Sequence, residues 1–298
     1  MLAGTLPCAI LGAFGMETLR AFLAPIAPFF AVYLAAMTAE RLVLTLRRCA
    51  PQRYDWVEAT TNVFSWMTAM VAWIPLNLLT FATSGWLWQF RVADLGTGVG
   101  AWVLASLAWD FSFYWQHRAE HELRLLWAGH VTHHSGEQFD YSTGFRQSWT
   151  PWTGFLFYPA WALVGVHPAL LFISGGWNLV YQFFLHTALV PKLPAWIEAW
   201  LNTPSHHRVH HARNPRYFDR NFGGALIVWD RWFGTFAPER EAPAYGIPHP
   251  VRSRNPLWIQ VHEYAAIGRD GWRASSWRSR LAALVREPGR AAQPSTVR

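Results

Sequence analysis

Imidazole, and the way it is spaced, dominates the chemistry available to this chain. Ten of the 13 histidines form short runs: His117 and His121; His130, His133 and His134; His186; and His206, His207, His210 and His211. Spacings of three and four residues put two rings on one helix face about a turn apart, where they can share a metal ion. Neutral imidazole suits iron, copper, zinc and nickel. A lone buried histidine is more often a hydrogen-bonded core residue. Ten crowded together would repel if protonated, and would leave polar atoms unpaired if buried neutral. Metal binding removes both difficulties, so all ten are candidate ligands. His186 stands alone, and His206 is adjacent to His207 on a helix, where one of two neighbours faces away.

The number of rings points to the kind of centre. One zinc site takes three or four protein ligands, so eight to ten imidazoles imply two metals. Two irons that share the set could split dioxygen and attack an unactivated C–H bond. Asp110 is expected to accept a hydrogen bond from a ligand histidine and fix its tautomer; the alternative is a polar cap pairing with a nearby arginine. Glu120, Glu137 and Asp140 are read as surface or outer partners rather than bridging ligands. His117-Arg-Ala-Glu120-His121 also matches the inverted zinc-peptidase motif, but that explains three residues and leaves the other runs idle. Cys8 and Cys49 are too few and too far apart for a thiolate site or a disulfide framework.

Such a cluster must be positioned, and the composition says where. The chain of 298 residues is 52% hydrophobic and 14% charged, with 20 Trp and 20 Phe, too little charge to cover a soluble protein of this size. The net charge of +7 then suits an anionic membrane surface rather than nucleic acid. Met1 to Met16 carries no basic residue and does not read as a signal peptide; a short retained apolar helix is expected there. Pro28 to Leu46, Thr60 to Phe81 and Leu95 to Trp115 are each long and apolar enough to be spans. Gln147 to Pro191 holds 45 residues without a charge. As one helix it would run about 67 Å, so it must fold back, with Gly165-Val166-His167-Pro168 as the turn.

Arg47, Arg48, Arg53, Arg118, Arg124, Lys192, Arg208 and Arg213 flank one side of these segments, against Arg20 and Arg91 on the other, which puts the histidine runs on the cytoplasmic face. Arg146-Gln147 could meet a lipid headgroup or anchor at the interface, as could Trp229, Trp232 and Trp258. Asn178 and Tyr181 are expected to line the bundle interior. The Arg-rich stretch from about Arg269 is expected to lie near anionic lipid and to end in a disordered tail.

The fold class expected is therefore all-α: a membrane-embedded bundle of about three spans plus a helical hairpin, with a cytosolic helical cap carrying a histidine-rich di-metal site. The domains expected are a transmembrane region over 1–104, a catalytic region over 105–240 and a basic cytoplasmic segment over 241–298. The alternative from another class is a non-catalytic membrane protein that binds or transports zinc. Transport would need ionisable ligands along the span interiors, whereas these runs sit at and beyond span ends.

Long motifs then bring in a family. Trp109-Asp110, Tyr114-Trp115-Gln116-His117-Arg118-Ala119-Glu120-His121, His130 with His133-His134, Gln182-Phe183 with His186-Thr187, and Asn202-Thr203-Pro204-Ser205-His206-His207-Arg208-Val209-His210-His211 resemble the fatty acid hydroxylase/sterol desaturase superfamily. The closing run Asn221-Phe222-Gly223-Gly224, Trp229-Asp230-Arg231 and Phe233-Gly234-Thr235-Phe236 is similar to its alkylglycerol monooxygenase-like bacterial branch. The resemblance covers about 105–240, and departs where Ala212-Arg213-Asn214 follows the third box in place of a glycine. It implies two Fe ions (with Zn as a substitute in isolated protein) and a bacterial inner-membrane location. It also implies O2-dependent hydroxylation or desaturation of a lipid (sterol, acyl chain or ether lipid), with electrons from a reductase, ferredoxin or cytochrome. By the same resemblance His117, His121, His130, His133, His134, His207, His210 and His211 fill the three boxes, and His186 and His206 the looser extra positions.

Overall fold

A computed structural model describes residues 26–46, 54–150 and 152–288. The described residues are helical and form no β-strand; Leu201 with Leu226 and Ala212 with Tyr245 are isolated bridges. They fall into two compact units that divide between Gln52 and Arg53. In the first unit α1 spans Ile26–Leu46, 21 residues. At 1.5 Å per residue it is about 32 Å long, enough to cross a hydrocarbon layer. The apolar helix expected before Met16 lies outside the described residues.

The second unit opens with α2, Trp56–Trp88. Asp55 starts it, its carboxylate accepting from the Val57 and Glu58 amides. Val71 and Leu79 point outward at 73% and 53% exposure, a surface suited to lipid rather than water. Helix α3, Val99–Glu122, runs without a break from an apolar first half into His117 and His121. By length and composition α1 and α2 are the helices able to cross a membrane among the described residues. Helix α3, the third expected span, is less apolar because it carries polar groups that are used internally. Ser106 meets Ser174 at 3.1 Å, Ser112 accepts from the Trp161 indole, and Asp110 accepts from Asn178.

Short helices follow: α4 Arg124–Trp127 and α5 Val131–His134, then a 3-10 turn at Tyr141–Phe145. The long uncharged stretch breaks into α6 Gly154–Phe157, α7 Ala160–Val164 and α8 Pro168–Phe183. The break falls at the expected turn. Gly165 sits at φ 111, a left-handed position that ends α7, and Pro168 begins α8 with the His167 ring capping it. The stretch returns to where it started: the Phe145 and Phe183 rings touch at 5.4 Å. Its first arm is too short to be a full span. Helix α8 packs along α3, and Gly175 makes room for Trp109, whose Nε1 would stand 2.2 Å from any Cβ there.

Next come α9 Ala195–Glu198, α10 Pro204–His210 and α11 Val228–Phe233. The basic C-terminal stretch is helical through α12 Pro256–Arg273 and α13 Trp277–Val285. Buried Arg124 ties α4 to α12 through Glu263 and Asp270, each at 2.6 Å. Of the disordered tail expected to end the chain, residues from 289 onward lie outside the described residues. Arg146, read as a headgroup contact or an interfacial anchor, is instead 4% exposed. Its guanidinium donates to Asn62 Oδ1, the Thr132 carbonyl and Ser135 Oγ, so it organises the interior.

Cysteine labelling checks the membrane face. In a chain lacking Cys8 and Cys49, single cysteines replacing the exposed Glu137 or Arg216 should resist a membrane-impermeant thiol reagent in intact cells. One replacing Val92, 86% exposed, should label. Labelling at 137 or 216 would overturn the cytoplasmic assignment.

Candidate metal centre

Nine of the ten candidate histidines converge. Helix α3 delivers His117 and His121 from its last two turns. The α4–α5 corner delivers His130, His133 and His134; the turn that follows α8 delivers His186; and α10 with its cap delivers His207, His210 and His211. They divide into two groups. His117, His121, His130, His134 and His210 form one, and His133, His186, His207 and His211 the other, each with one ring nitrogen per residue inside a 4.8 Å span. The groups adjoin, with the His134 and His211 rings stacked at 4.4 Å.

His206 joins neither group. Being next to His207 on a single helical turn, it faces away, toward Glu198 at 3.8 Å and the Phe236 ring at 5.4 Å. As a tenth ligand position it is therefore corrected.

The hydrogen bonds behind the rings decide what the nitrogens in front can do. A carbonyl only accepts, so a ring nitrogen facing one carries the hydrogen and its partner nitrogen is a bare lone pair. His117 Nδ1 donates to the Phe222 carbonyl at 2.9 Å and His210 Nδ1 to the Arg220 carbonyl at 3.0 Å. In the second group His133 Nδ1 donates to the Arg146 carbonyl and His186 Nδ1 to the Gln182 carbonyl. The Nε2 atoms of His133 and His186 then face each other at 3.2 Å with no hydrogen between them. His210 Nε2 is buried with no hydrogen-bond partner. Orphaned buried acceptors cost about 1–3 kcal/mol each, and facing lone pairs cost more. A cation between the Nε2 atoms satisfies them all, and the residues fit a metal in each group.

Protonation is suppressed at most of these rings. Burial, then the neighbouring His121, pulls His117 down to about 3, and burial pulls His186 down to about 4. Burial and neighbouring imidazoles hold His130, His134, His207, His210 and His211 well below their ordinary value. Those rings are neutral, which is the metal-binding form. Glu120, whose carboxyl burial raises to about 7, faces His130 Nδ1 at 3.3 Å and accepts from Thr153 and Gln116.

Two supports were not read from the residues. Asp219 and Asn221 adopt positive φ of 55° and 59°, tolerated by Asp and Asn, and the turn they make points the Arg220 and Phe222 carbonyls at the histidines. Asp230 fixes that turn by accepting from the Phe222 and Gly223 amides and Thr235 Oγ1. Asn221-Phe222-Gly223-Gly224 and Trp229-Asp230 carry the signal in the family motif, but no chemistry of their own announces it. Asp110 needs correcting as well. Its donors are Asn178 Nδ2, the Ala225 and Leu226 amides and Trp229 Nε1, and none is a histidine. It holds the same loop from the bundle side, because that loop's amides lack other partners.

Comparison with known proteins follows the same residues. The Fatty acid hydroxylase family profile matches residues 102–235. An alkylglycerol monooxygenase of Xenopus tropicalis is 41% identical over 189 residues, covering 63% of this chain and 42% of that protein. The human alkylglycerol monooxygenase is 35% identical over 266 residues, 88% of this chain and 58% of that protein. An ornithine lipid hydroxylase of Rhizobium tropici is 30% identical over 136 residues, 45% and 41% of the two chains. The chain thus spans roughly half the length of these relatives. No solved structure matches it.

Three substitutions separate ligand from support. His206→Ala should keep the wild-type metal content per folded chain, whereas His207→Ala should lose metal. Asp230→Asn should weaken metal affinity roughly 10–100-fold without removing a ligand. Metal titration of the three variants checks this, and loss of metal in His206→Ala would contradict the grouping.

Proposed function

The chain belongs to the fatty acid hydroxylase/sterol desaturase superfamily, and on that premise we propose that it is a membrane-bound, O2-dependent lipid oxidoreductase with a di-iron centre. The observation that carries this reading is a cavity of about 240 Å³ lined both by imidazoles and by apolar side chains. His117, His130, His133, His186 and His207, from both groups, line it. Trp73 and Leu76 of α2 and Phe172 and Leu179 of α8 line it too, with Asn77 and Thr80 among them. An acyl or alkyl chain entering from the bilayer fits the apolar lining and brings its C–H bonds to the imidazoles. A structural or transported zinc would have no use for that passage.

The number of rings favours iron over tetrahedral zinc: five imidazoles in one group exceed a four-coordinate shell.

When bound, the two irons would pass two electrons, drawn from an external donor protein, to O2 and so turn it into an oxidant able to attack a C–H bond. The chain's own residues do the rest. The backs of His117, His133, His186 and His210 are held by carbonyls, so those rings cannot swing. Trp109, stacked between Phe113 and Tyr158, forms an apolar wall that excludes water. Glu120 lines the cavity beside Gln116 and is placed to hold a proton close to the His130 ring. The relatives' names cover alkylglycerols and ornithine lipids. Ether lipids of the alkylglycerol type are the substrate to test first, given the higher identity of those relatives. The histidines are assigned to the cytoplasmic face on the Arg/Lys bias.

Lipid mass spectrometry of cells with and without the gene should show products shifted by +16 or −2 mass units from an accumulating precursor. Leu76→Trp, which crowds the apolar lining, should cut turnover of long-chain substrates at least roughly tenfold with metal content unchanged. No lipid change, with both metals in place, would sink the assignment.

A further inference from the structure

The irons would be buried beside a cavity filled by lipid during turnover, so electrons must arrive by another route. Trp127, the last residue of α4, is partly exposed and is not part of the cavity wall. Its indole stacks on the His134 imidazole, centroids 5.5 Å apart and planes 30° from parallel. It also touches His121 at 5.0 Å and His130 at 6.3 Å. His134 in turn stacks on His211 at 4.4 Å and 24°. Three rings therefore lie face to face, from the protein surface through one histidine group into the other. Most other contacts among these imidazoles are edge-on or tilted.

We propose that Trp127 is the electron entry residue, passing electrons from an external redox carrier through the stacked His134 ring to metal held by the first group, and through His211 to the second. The inference rests on the oxygenase reading above. Tunnelling falls steeply with distance and runs best through contiguous π systems, and this stack offers one. Each transfer moves one electron: the reduced carrier is oxidised by one and the centre reduced by one, with no bond made or broken, twice per turnover. The position is held independently of the metal. The Trp127 amide donates to the Leu123 carbonyl at 2.8 Å, and Arg124, three residues earlier, is locked to Glu263 and Asp270.

The test uses the iron-loaded full chain in lipid nanodiscs under anaerobic stopped flow. The reductant is a reduced viologen tethered to dextran, too large to enter the cavity, and bleaching of its radical gives the rate. Dithionite, small enough to enter, is the second arm, and iron content is measured for every sample. Trp127→Leu should slow reduction by the tethered viologen roughly tenfold, with dithionite reduction and iron content unchanged. Trp127→Phe, which keeps a π face, should recover most of the rate and stands in should the leucine variant fail to fold. Wild-type rates in Trp127→Leu would overturn the proposal. So would slowing that only tracks lost iron or appears equally with dithionite, since that is what a packing role predicts. A wild-type protein with iron that neither reductant can reduce would overturn the oxygenase reading itself.

Discussion

Buried imidazoles that present bare lone pairs to one another are the constraint on which the rest of the second unit depends. Without a cation, the His133 and His186 nitrogens at 3.2 Å repel. Protonating one ring would relieve the contact but would place a charge where burial resists it. The surrounding chain is arranged to keep this arrangement and not to relax it. Carbonyls of Phe222, Arg220, Arg146 and Gln182 sit behind four rings. Two of those carbonyls belong to residues held by another element: Asp230 accepts from the Gly223 amide of the Phe222–Gly223 peptide, and the Arg146 side chain is anchored to Asn62.

The same logic explains the polar residues inside an otherwise apolar bundle. Helix α3 serves as both core helix and ligand platform, so its register must be fixed along its whole length. Asp110 does this by gathering Asn178 of α8 and the amides of the 225–226 loop at one carboxylate. The bundle and the loop that backs His117 are thereby joined through one residue. Burying that carboxylate is costly, and four donors are what make it tolerable. Trp109, one residue earlier, turns the other way to wall the cavity, using the space left by Gly175.

Much of this was readable from the residues. The all-helical class followed from apolar length, and Gly165-Val166-His167-Pro168 marked the break because a left-handed glycine and an N-terminal proline have few other uses. The three histidine runs were legible because helical spacing brings rings together whatever the tertiary fold. His186 was less so, since a lone histidine gains meaning only when α8 returns to the α5 corner. Long-range partnerships stayed hidden. Nothing in the chain order pairs Asp110 with Trp229, or shows that Arg146 turns inward rather than toward lipid. The failed expectation for Asp110 is instructive: a buried carboxylate near ligands supports them through backbone as readily as through an imidazole.

The central claim is that two neighbouring groups of imidazoles hold two irons, and metal analysis tests it most directly. Protein produced in iron-replete cells and purified folded in detergent should contain two iron equivalents per chain. His186→Ala, which alters only the second group, should lower the count toward one. A single equivalent in the wild type, or a folded and metal-free chain, would contradict the account.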